Sequence, residues 1–117
     1  MNLYLLHNNL SQFPLYDKLF HLMDKHGNII FRNEKGQIHR DNDLPAIIRS
    51  NGTQMWYVNG EVHRDNDLPA YIGSNGTQGW WVNGRRHREN DLPARIWLDG
   101  TKEWYVNGKF MHSSDCS

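Results

Sequence analysis

Apolar positions follow two different periodicities along this chain, one near the N-terminus and another after Gly27. Leu15, Leu19 and Leu22 recur at the spacing of one helix face. This spacing predicts an amphipathic helix over about residues 12–25, with Gly27 supplying a left-handed C-cap. After Gly27, short apolar runs alternate with polar residues and glycines, which is typical of strands joined by tight turns.

A nine-residue segment that contains His-Arg and Leu-Pro-Ala occurs three times with few changes. The copies are Ile38–Ala46, Val62–Ala70 and Arg86–Ala94, and they follow one another at intervals of 24 residues. Self-similarity at a fixed period marks a repeat architecture, in which each unit is one supersecondary element that stacks on its neighbours. We therefore expect tandem units of 24 residues.

Asn-Gly or Asp-Gly pairs separate the strand-like runs and predict the turns between them. The pairs are Asn51-Gly52, Asn59-Gly60, Asn75-Gly76, Asn83-Gly84, Asp99-Gly100 and Asn107-Gly108. They favour two-residue type I′ hairpins, because Asn and Gly tolerate the positive φ angles that both turn positions need. A two-residue turn fixes the strand register, so Ile48 is predicted to face Met55. By the same register, Ile47 faces Trp56.

This predicted register sorts the strand residues onto two faces, because side chains alternate along a strand. The first face carries the repeated small, aliphatic and tyrosine positions, which are Ala46, Ile48 and Tyr57 in the first copy. We assign this face to the core. The second face carries one tryptophan per unit: Trp56, Trp80 and Trp104.

The fold class that follows is mainly β, an antiparallel meander of tandem 24-residue β-hairpin repeats with one N-terminal α-helix as a cap. Residues 1–27 form the predicted N-terminal cap, which contains the helix at about residues 12–25. Residues 28–112 form the predicted sheet, and residues 113–117 form a tail. Because a repeat sheet has exposed ends, we expect the helix to cover part of it.

Comparison of the copies indicates where recognition occurs, because matching positions serve the shared fold and differing positions are free for binding. Differences on the tryptophan face include Ile47/Tyr71/Arg95, Arg49/Gly73/Trp97 and Glu61/Arg85/Lys109. On the other face, the clear differences are Met55/Gly79/Glu103 and Val62/Arg86/Phe110. Since Trp, Tyr and Arg dominate interface energetics, we predict a contact surface on the tryptophan face. Its predicted binding residues are Trp56, Trp80, Trp104, Tyr71, Arg95, Trp97, Arg49 and Arg85. Alternatively, the tryptophan row packs on itself or on another copy of the chain.

The repeat unit resembles a known family. Its pattern Gly-Thr-Gln-x-Trp-Trp-Val-Asn-Gly-x-x-His-Arg-Glu-Asn-Asp-x-Pro-Ala is similar to the MORN-variant repeats, especially the His-Arg-Glu-Asp-Gly-Pro-Ala type common in bacteriophage and giant-virus proteins. The resemblance covers about residues 27–112. This chain differs in having Leu44, Leu68 and Leu92 at the place of that glycine, and no copy has the His-Gly-x-Gly element of ordinary MORN repeats.

That resemblance implies a twisted sheet of hairpins and an interaction role, with no catalytic residues to carry over. Its members include scaffolds, some membrane-associated assemblies and related bacterial proteins with antitoxin-like roles. A phage or viral source would fit a small inhibitor of a host defence or host enzyme that acts by occupying a surface.

Charge and cysteine content narrow the functional classes. The 117 residues contain 13 Lys+Arg and 13 Asp+Glu, so the formal charge is zero and gives no general attraction to nucleic acid or anionic lipid. No apolar run is long enough to span a bilayer, so membrane insertion is not expected. The N-terminus lacks the pattern of a secretory signal, and the single Cys116 favours a reducing compartment. We therefore expect a cytoplasmic protein, which would be host cytoplasm if the chain is phage-encoded.

The spacing of the repeated histidines and acids does not fit a metal site or a catalytic site. Equivalent positions two strands apart lie about 10 Å from each other, so one zinc ion cannot collect His39, His63 and His87. The Asp41-Asn42-Asp43 segment and its copies lack the closing Glu of a calcium loop. Turn capping and Arg–Asp pairing between adjacent copies explain these acids better. We expect no metal, cofactor or enzyme activity, since no nucleophile motif is present.

Three functions remain open at the level of sequence. The first is a non-catalytic module that binds another protein. The second is a sheet that binds single-stranded nucleic acid, using the basic cluster Arg85-Arg86-His87-Arg88 and aromatic rings that stack bases. The third is a self-assembling structural module, a homo-oligomer formed through the open sheet edge or the tryptophan face.

Overall fold

Strands form all of the regular secondary structure in residues 20–114, the part of the chain that the computed structural model describes. They are β1 Phe20–Met23, β2 Ile29–Arg32, β3 Ile47–Ile48, β4 Gln54–Met55, β5 Tyr57–Val58, β6 Glu61–Val62, β7 Tyr71–Ile72, β8 Gln78–Gly79, β9 Trp81–Val82, β10 Arg85–Arg86, β11 Arg95–Ile96, β12 Lys102–Val106 and β13 Lys109–Ser114. The predicted mainly-β class is thereby confirmed for this range.

The strands divide between one large sheet and two small ribbons. The large antiparallel sheet has nine strands in the order β1-β2-β3-β4-β7-β8-β11-β12-β13. The pairs β5–β6 and β9–β10 form separate two-stranded ribbons. Each ribbon bonds to the next: Arg64 N donates to Trp81 O (3.3 Å) and Gly84 N donates to Val62 O (2.9 Å). Along the chain, two strands of the large sheet therefore alternate with one ribbon: β3 and β4, then β5–β6, then β7 and β8, then β9–β10.

The tips of the ribbons are the predicted two-residue hairpins. At Asn59-Gly60 the φ angles are 49° and 87°, and Val58 pairs with Glu61 across the turn. Asn83-Gly84 and Asn107-Gly108 have the same pair of positive φ angles. Both residues of each pair adopt the left-handed conformation, which is the signature of a type I′ turn. The prediction is confirmed at these three positions.

The other Asn-Gly pairs form a different turn, and the predicted register there is wrong by one residue. At Asn51-Gly52 only Gly52 has positive φ (94°), and Ile48 pairs with Gln54 rather than with Met55. Gly52 N donates to Arg49 O (2.9 Å), which makes a three-residue loop that ends in a left-handed glycine. The Asn51 side chain favours this loop because its Oδ1 accepts from Thr53 N (2.9 Å).

The predicted N-terminal helix is wrong from residue 20 onward, and residues 12–19 lie outside the described part of the chain. Phe20–Met23 is strand β1, which pairs along its whole length with β2. Gly27 (φ 84°) closes a turn instead of a helix, since Gly27 N donates to Asp24 O (3.1 Å). From residue 20 onward, pairing with β2 and the Asp24 carboxylate, which accepts from the backbone N–H groups of His26 and Asn28, take the place of the predicted helix.

At the other end, β13 continues through Ser114, two residues beyond the predicted end of the sheet at residue 112. Ser113 and Ser114 pair with Glu103 and Lys102 of β12. Residues 115–117 of the predicted tail lie outside the described residues.

The core combines residues from both predicted faces. It consists of the unexposed alanines and of deeply buried aromatic and aliphatic residues: Ala46, Ala70, Ala94, Phe31, Ile47, Trp56 and Trp80. The faces merge because the chain leaves the large sheet at Trp56 and at Trp80, whereas Trp104 lies within β12. Trp56 lies between β4 and β5, where its N donates to Ala70 O (2.8 Å) and its carbonyl accepts from His63 N (3.0 Å). This bend buries the ring between the sheet and the ribbon.

Candidate binding surface

In the second and third copies, one arginine packs against a core tryptophan and ties two units together, while the equivalent Arg40 of the first copy lies over the Phe31 ring. The Arg64 guanidinium lies 3.9 Å from the Trp56 ring centroid. Its Nε and Nη2 donate to the two carboxylate oxygens of Asp43 in the preceding copy (2.8 and 3.2 Å). Arg88 makes the same contacts with Trp80 and Asp67. The predicted Arg–Asp pairing between adjacent copies is confirmed, and these arginines serve the framework.

Both ring nitrogens of each repeated histidine make polar contacts within the same framework. His63 Nδ1 accepts from the backbone N–H of Asn83 (3.0 Å), and His63 Nε2 lies 2.7 Å from Asp65 Oδ1. An accepting Nδ1 carries no proton, so the ring proton is on Nε2 and is donated to the carboxylate. His39 and His87 repeat both contacts. Across residues 20–114, no group of three or more His, Cys, Asp or Glu side chains is placed to hold a metal ion.

The corrected register collects the differing positions into one row across the large sheet. Successive pairs link Ile47, Met55, Tyr71, Gly79, Arg95 and Glu103. The predicted two-residue turn puts two of the differing sets, Ile47/Tyr71/Arg95 and Met55/Gly79/Glu103, on opposite faces. They share one face because the three-residue loop shifts one strand by a single position. The most variable residues of the sheet therefore lie side by side.

The middle of this row, from Met55 to Arg95, forms the floor of a groove between the large sheet and the β9–β10 ribbon. The groove has a volume of about 440 Å³, and its main lining side chains are Met55, Tyr71, Trp81, Arg86, Arg95 and Trp97. Gly79 lies at the centre, where a Cβ atom would stand 3.5 Å from Trp81 Nε1 and 3.6 Å from Tyr71 Cβ. A volume of this size is in the range of ligand-binding clefts. We call this space the Gly79 groove.

The two arginines of the Gly79 groove differ in their electrostatic environment. Arg95 Nη1 lies 3.3 Å from Glu103 Oε1, so its charge has a partner. The Arg86 guanidinium lies 4.5 Å from the Trp81 ring centroid and 5.1 Å from that of Tyr105. Its Nε is buried and has no hydrogen-bond partner. Within the described range, Arg86 has aromatic neighbours and no carboxylate partner.

The structure separates the sequence-predicted binding residues into three groups. Tyr71, Arg95 and Trp97 line the Gly79 groove. Trp56 and Trp80 are each only 6 % exposed and belong to the core, so their rings are not accessible to a partner.

The third group lies outside the groove. Trp104 stacks on His112, with ring centroids 4.3 Å apart. Arg49 is exposed beside Met55, with its Nη2 4.0 Å from the Met55 sulfur. Arg85 is exposed on the ribbon, where it pairs with Val82.

Sequence reasoning omitted Trp81, Arg86, Met55 and Gly79 from the predicted binding set. The signal for three of them was present, since Met55/Gly79 and Arg86 belong to sets that differ between copies. The predicted two-residue turn puts these three residues on the core face, whereas the three-residue loop turns them toward the groove. Trp81 stands where Tyr57 and Tyr105 stand in the other copies, so only its size distinguishes it.

The basic cluster does not act as one patch. Arg85 and Arg86 are successive strand residues and point to opposite sides of the ribbon. Arg88 is stacked on Trp80 and paired with Asp67. Only Arg86 of the three arginines reaches the Gly79 groove.

The strands and the groove define a mainly-β protein of antiparallel hairpins with one variable, aromatic face. No family model, curated protein or solved structure matches the chain. Among the described residues, no helix has the length and apolar character needed to cross a membrane.

Proposed function

We propose that this chain is a non-catalytic, protein-binding repeat module and that its partner contacts the Gly79 groove. The supporting observation is that residues which break the repeat converge there, while residues that keep the repeat are engaged in the framework. The groove offers Tyr71, Trp81 and Trp97 with two arginines. These are the residue types that most often anchor protein interfaces.

The MORN-variant resemblance of residues 27–112 supports an interaction role and extends the proposal. In this extension the chain is a phage-encoded protein of the host cytoplasm, and it inhibits a host defence or host enzyme by covering a surface. The absence of a nucleophile motif in the sequence agrees with a binding function.

Site-directed photo-cross-linking tests the proposed contact face. A benzophenone side chain is placed at Trp97, which is 40 % exposed at the groove. The control position is Lys102, which is exposed and lies in the strand row that points to the opposite side of the sheet. In extract of the source cell, position 97 should yield a discrete adduct that excess unlabelled chain abolishes. The proposal fails if both positions give the same adducts, or if position 97 gives none.

Self-association is a second candidate because the last strand leaves an open edge. All six residues of β13 are exposed, and Phe110 and Met111 are 50 % and 52 % exposed. An exposed hydrophobic edge strand is a template for pairing with another chain. Light scattering at rising concentration should then show a dimer that Met111→Lys disperses. A wild-type monomer at high concentration would remove this candidate.

A further inference from the structure

We propose that the Gly79 groove binds an acidic peptide segment, and that Arg86 pairs with the carboxylate of an Asp or Glu in that segment. An apolar residue beside the acid would lie against the rings of Trp81 and Trp97. This inference rests on the proposed protein-binding function and specifies the chemistry of the partner.

The first argument is the missing counter-charge of Arg86. The framework arginines Arg64 and Arg88 each have a bidentate aspartate, and Arg95 has Glu103. Arg86 has two aromatic rings, a buried Nε without a hydrogen-bond partner and no ion pair to any residue of the described range. Since the Nε is enclosed, a carboxylate from outside would pair with the terminal Nη groups of Arg86, and a carboxylate is the group that satisfies a guanidinium best.

The second argument is that the site occurs once in the chain. The equivalents of Arg86 are Val62 and Phe110, and the equivalents of Gly79 are Met55 and Glu103. Among the three copies, only this unit therefore combines an arginine with a glycine at these two positions. A Cβ atom at Gly79 would already be in van der Waals contact with Trp81 and Tyr71, so a longer side chain there would occupy the groove. A unit that has a glycine and an arginine at these two neighbouring positions is suited to bind a charged group of another molecule.

The third argument separates a peptide from single-stranded nucleic acid. A nucleic acid backbone carries a phosphate at every nucleotide and needs a track of cations. Here the Arg95 charge is compensated by Glu103, whose carboxylate would repel phosphate. One uncompensated guanidinium beside aromatic rings matches one carboxylate next to one apolar side chain.

Selection from a random library of 12-residue peptides displayed on yeast tests the inference with the intact chain. Two variants copy residues of the preceding unit, so they are compatible with the fold. Arg86→Val removes the charge, and Gly79→Met fills the groove without a close contact at its Cβ. Arg32→Val is the control for loss of one positive charge, because Arg32 is exposed at the far end of the sheet. Circular dichroism checks that each variant is folded.

Support requires that selected peptides carry an Asp or Glu next to a large apolar residue. Their affinity should fall about 10- to 100-fold with Arg86→Val and stay unchanged with Arg32→Val. Replacing the acid by its amide should give a similar loss in wild type and little further loss in Arg86→Val. Gly79→Met should weaken the same peptides.

Three results would overturn the inference. Peptides that Gly79→Met weakens but that need neither an acid nor Arg86 would disprove the carboxylate pairing and leave the protein-binding function standing. If Gly79→Met weakens the binding of none of the selected peptides, both the acidic-peptide inference and the proposed protein-binding function of the groove are refuted. Binding of a 12-residue oligothymidylate that Arg86→Val and Gly79→Met both weaken would assign the groove to nucleic acid.

Discussion

Removal of the Trp80 side chain tests whether the tryptophan row is core or contact surface. Trp80 is 6 % exposed, its Nε1 donates to Asp67 O (3.0 Å), and the Arg88 guanidinium lies 3.9 Å from its ring. Deleting a buried Trp side chain costs about 3–5 kcal/mol. The lost hydrogen bond and cation–π contact each contribute about 1 kcal/mol. Because these terms overlap, we expect Trp80→Ala to lower the free energy of unfolding by about 4–6 kcal/mol.

Trp104 is the matched control within the same chain. It makes the same indole bond, to Asp91 O (3.0 Å), but it is only partly buried and stacks on His112 instead of an arginine. Trp104→Ala should therefore cost about 2–3 kcal/mol. Urea denaturation followed by circular dichroism measures both values. Trp80→Phe, which keeps a ring and loses the N–H donor, should cost about 1–2 kcal/mol and remain measurable if the alanine variant does not fold. Equal costs for the two alanine variants would refute the burial argument.

Three further predictions concern turns and hydrogen bonds. Gly52→Ala should cost about 1–2 kcal/mol in urea denaturation, since φ is 94° with open space around the Cβ position, and Gly52→Asn should cost less. A similar cost for both would contradict the left-handed turn. Nitrogen NMR should show the His63 proton on Nε2, and a protonated Nδ1 at neutral pH would exclude the hydrogen bond from Asn83. The Thr101 backbone N–H holds the pKa of Asp99 below its ordinary value of 3.8, so the charged carboxylate stabilises the fold above that pH. As pH falls through the lowered pKa, the wild-type chain should lose this stability relative to Asp99→Asn, in which the amide matches the asparagines at the same position of the other copies. Parallel profiles of unfolding free energy against pH for the two chains would contradict this prediction.

Local sequence signals predicted the strands well but could not distinguish the two kinds of turn. Asn51-Gly52 and Asn59-Gly60 are the same dipeptide, yet only the second is a two-residue hairpin. The difference arises between units: Asn59 N donates to His39 Nδ1 (2.9 Å), and Gly60 N donates to Ile38 O (2.8 Å). These partners lie about 20 residues earlier in the chain, so no local propensity reveals them.

The N-terminal segment shows the same limit from the opposite side. Its leucine spacing fits one helix face, but the four residues of β1 gain a full set of pairs with β2. The edge of the sheet offers backbone hydrogen-bond partners to these four residues. Such tertiary contacts routinely override helix propensity. The turn at Asp24–Asn28 is of the same kind as the later three-residue loops, because Gly27 N donates to Asp24 O just as Gly52 N donates to Arg49 O.

The comparison between copies points to the binding site only when the register is correct. Framework residues are repeated because each contact spans two units: Arg64 needs Asp43, and His63 needs the N–H of Asn83. A side chain with such a partner is held between two units, so its polar atoms are not available to bind another molecule. Arg86 departs from the repeat, since Val62 and Phe110 are its equivalents, and its buried Nε has no hydrogen-bond partner. In a protein of stacked units, the search for function should therefore begin with charged side chains that break the repeat and have no partner inside it.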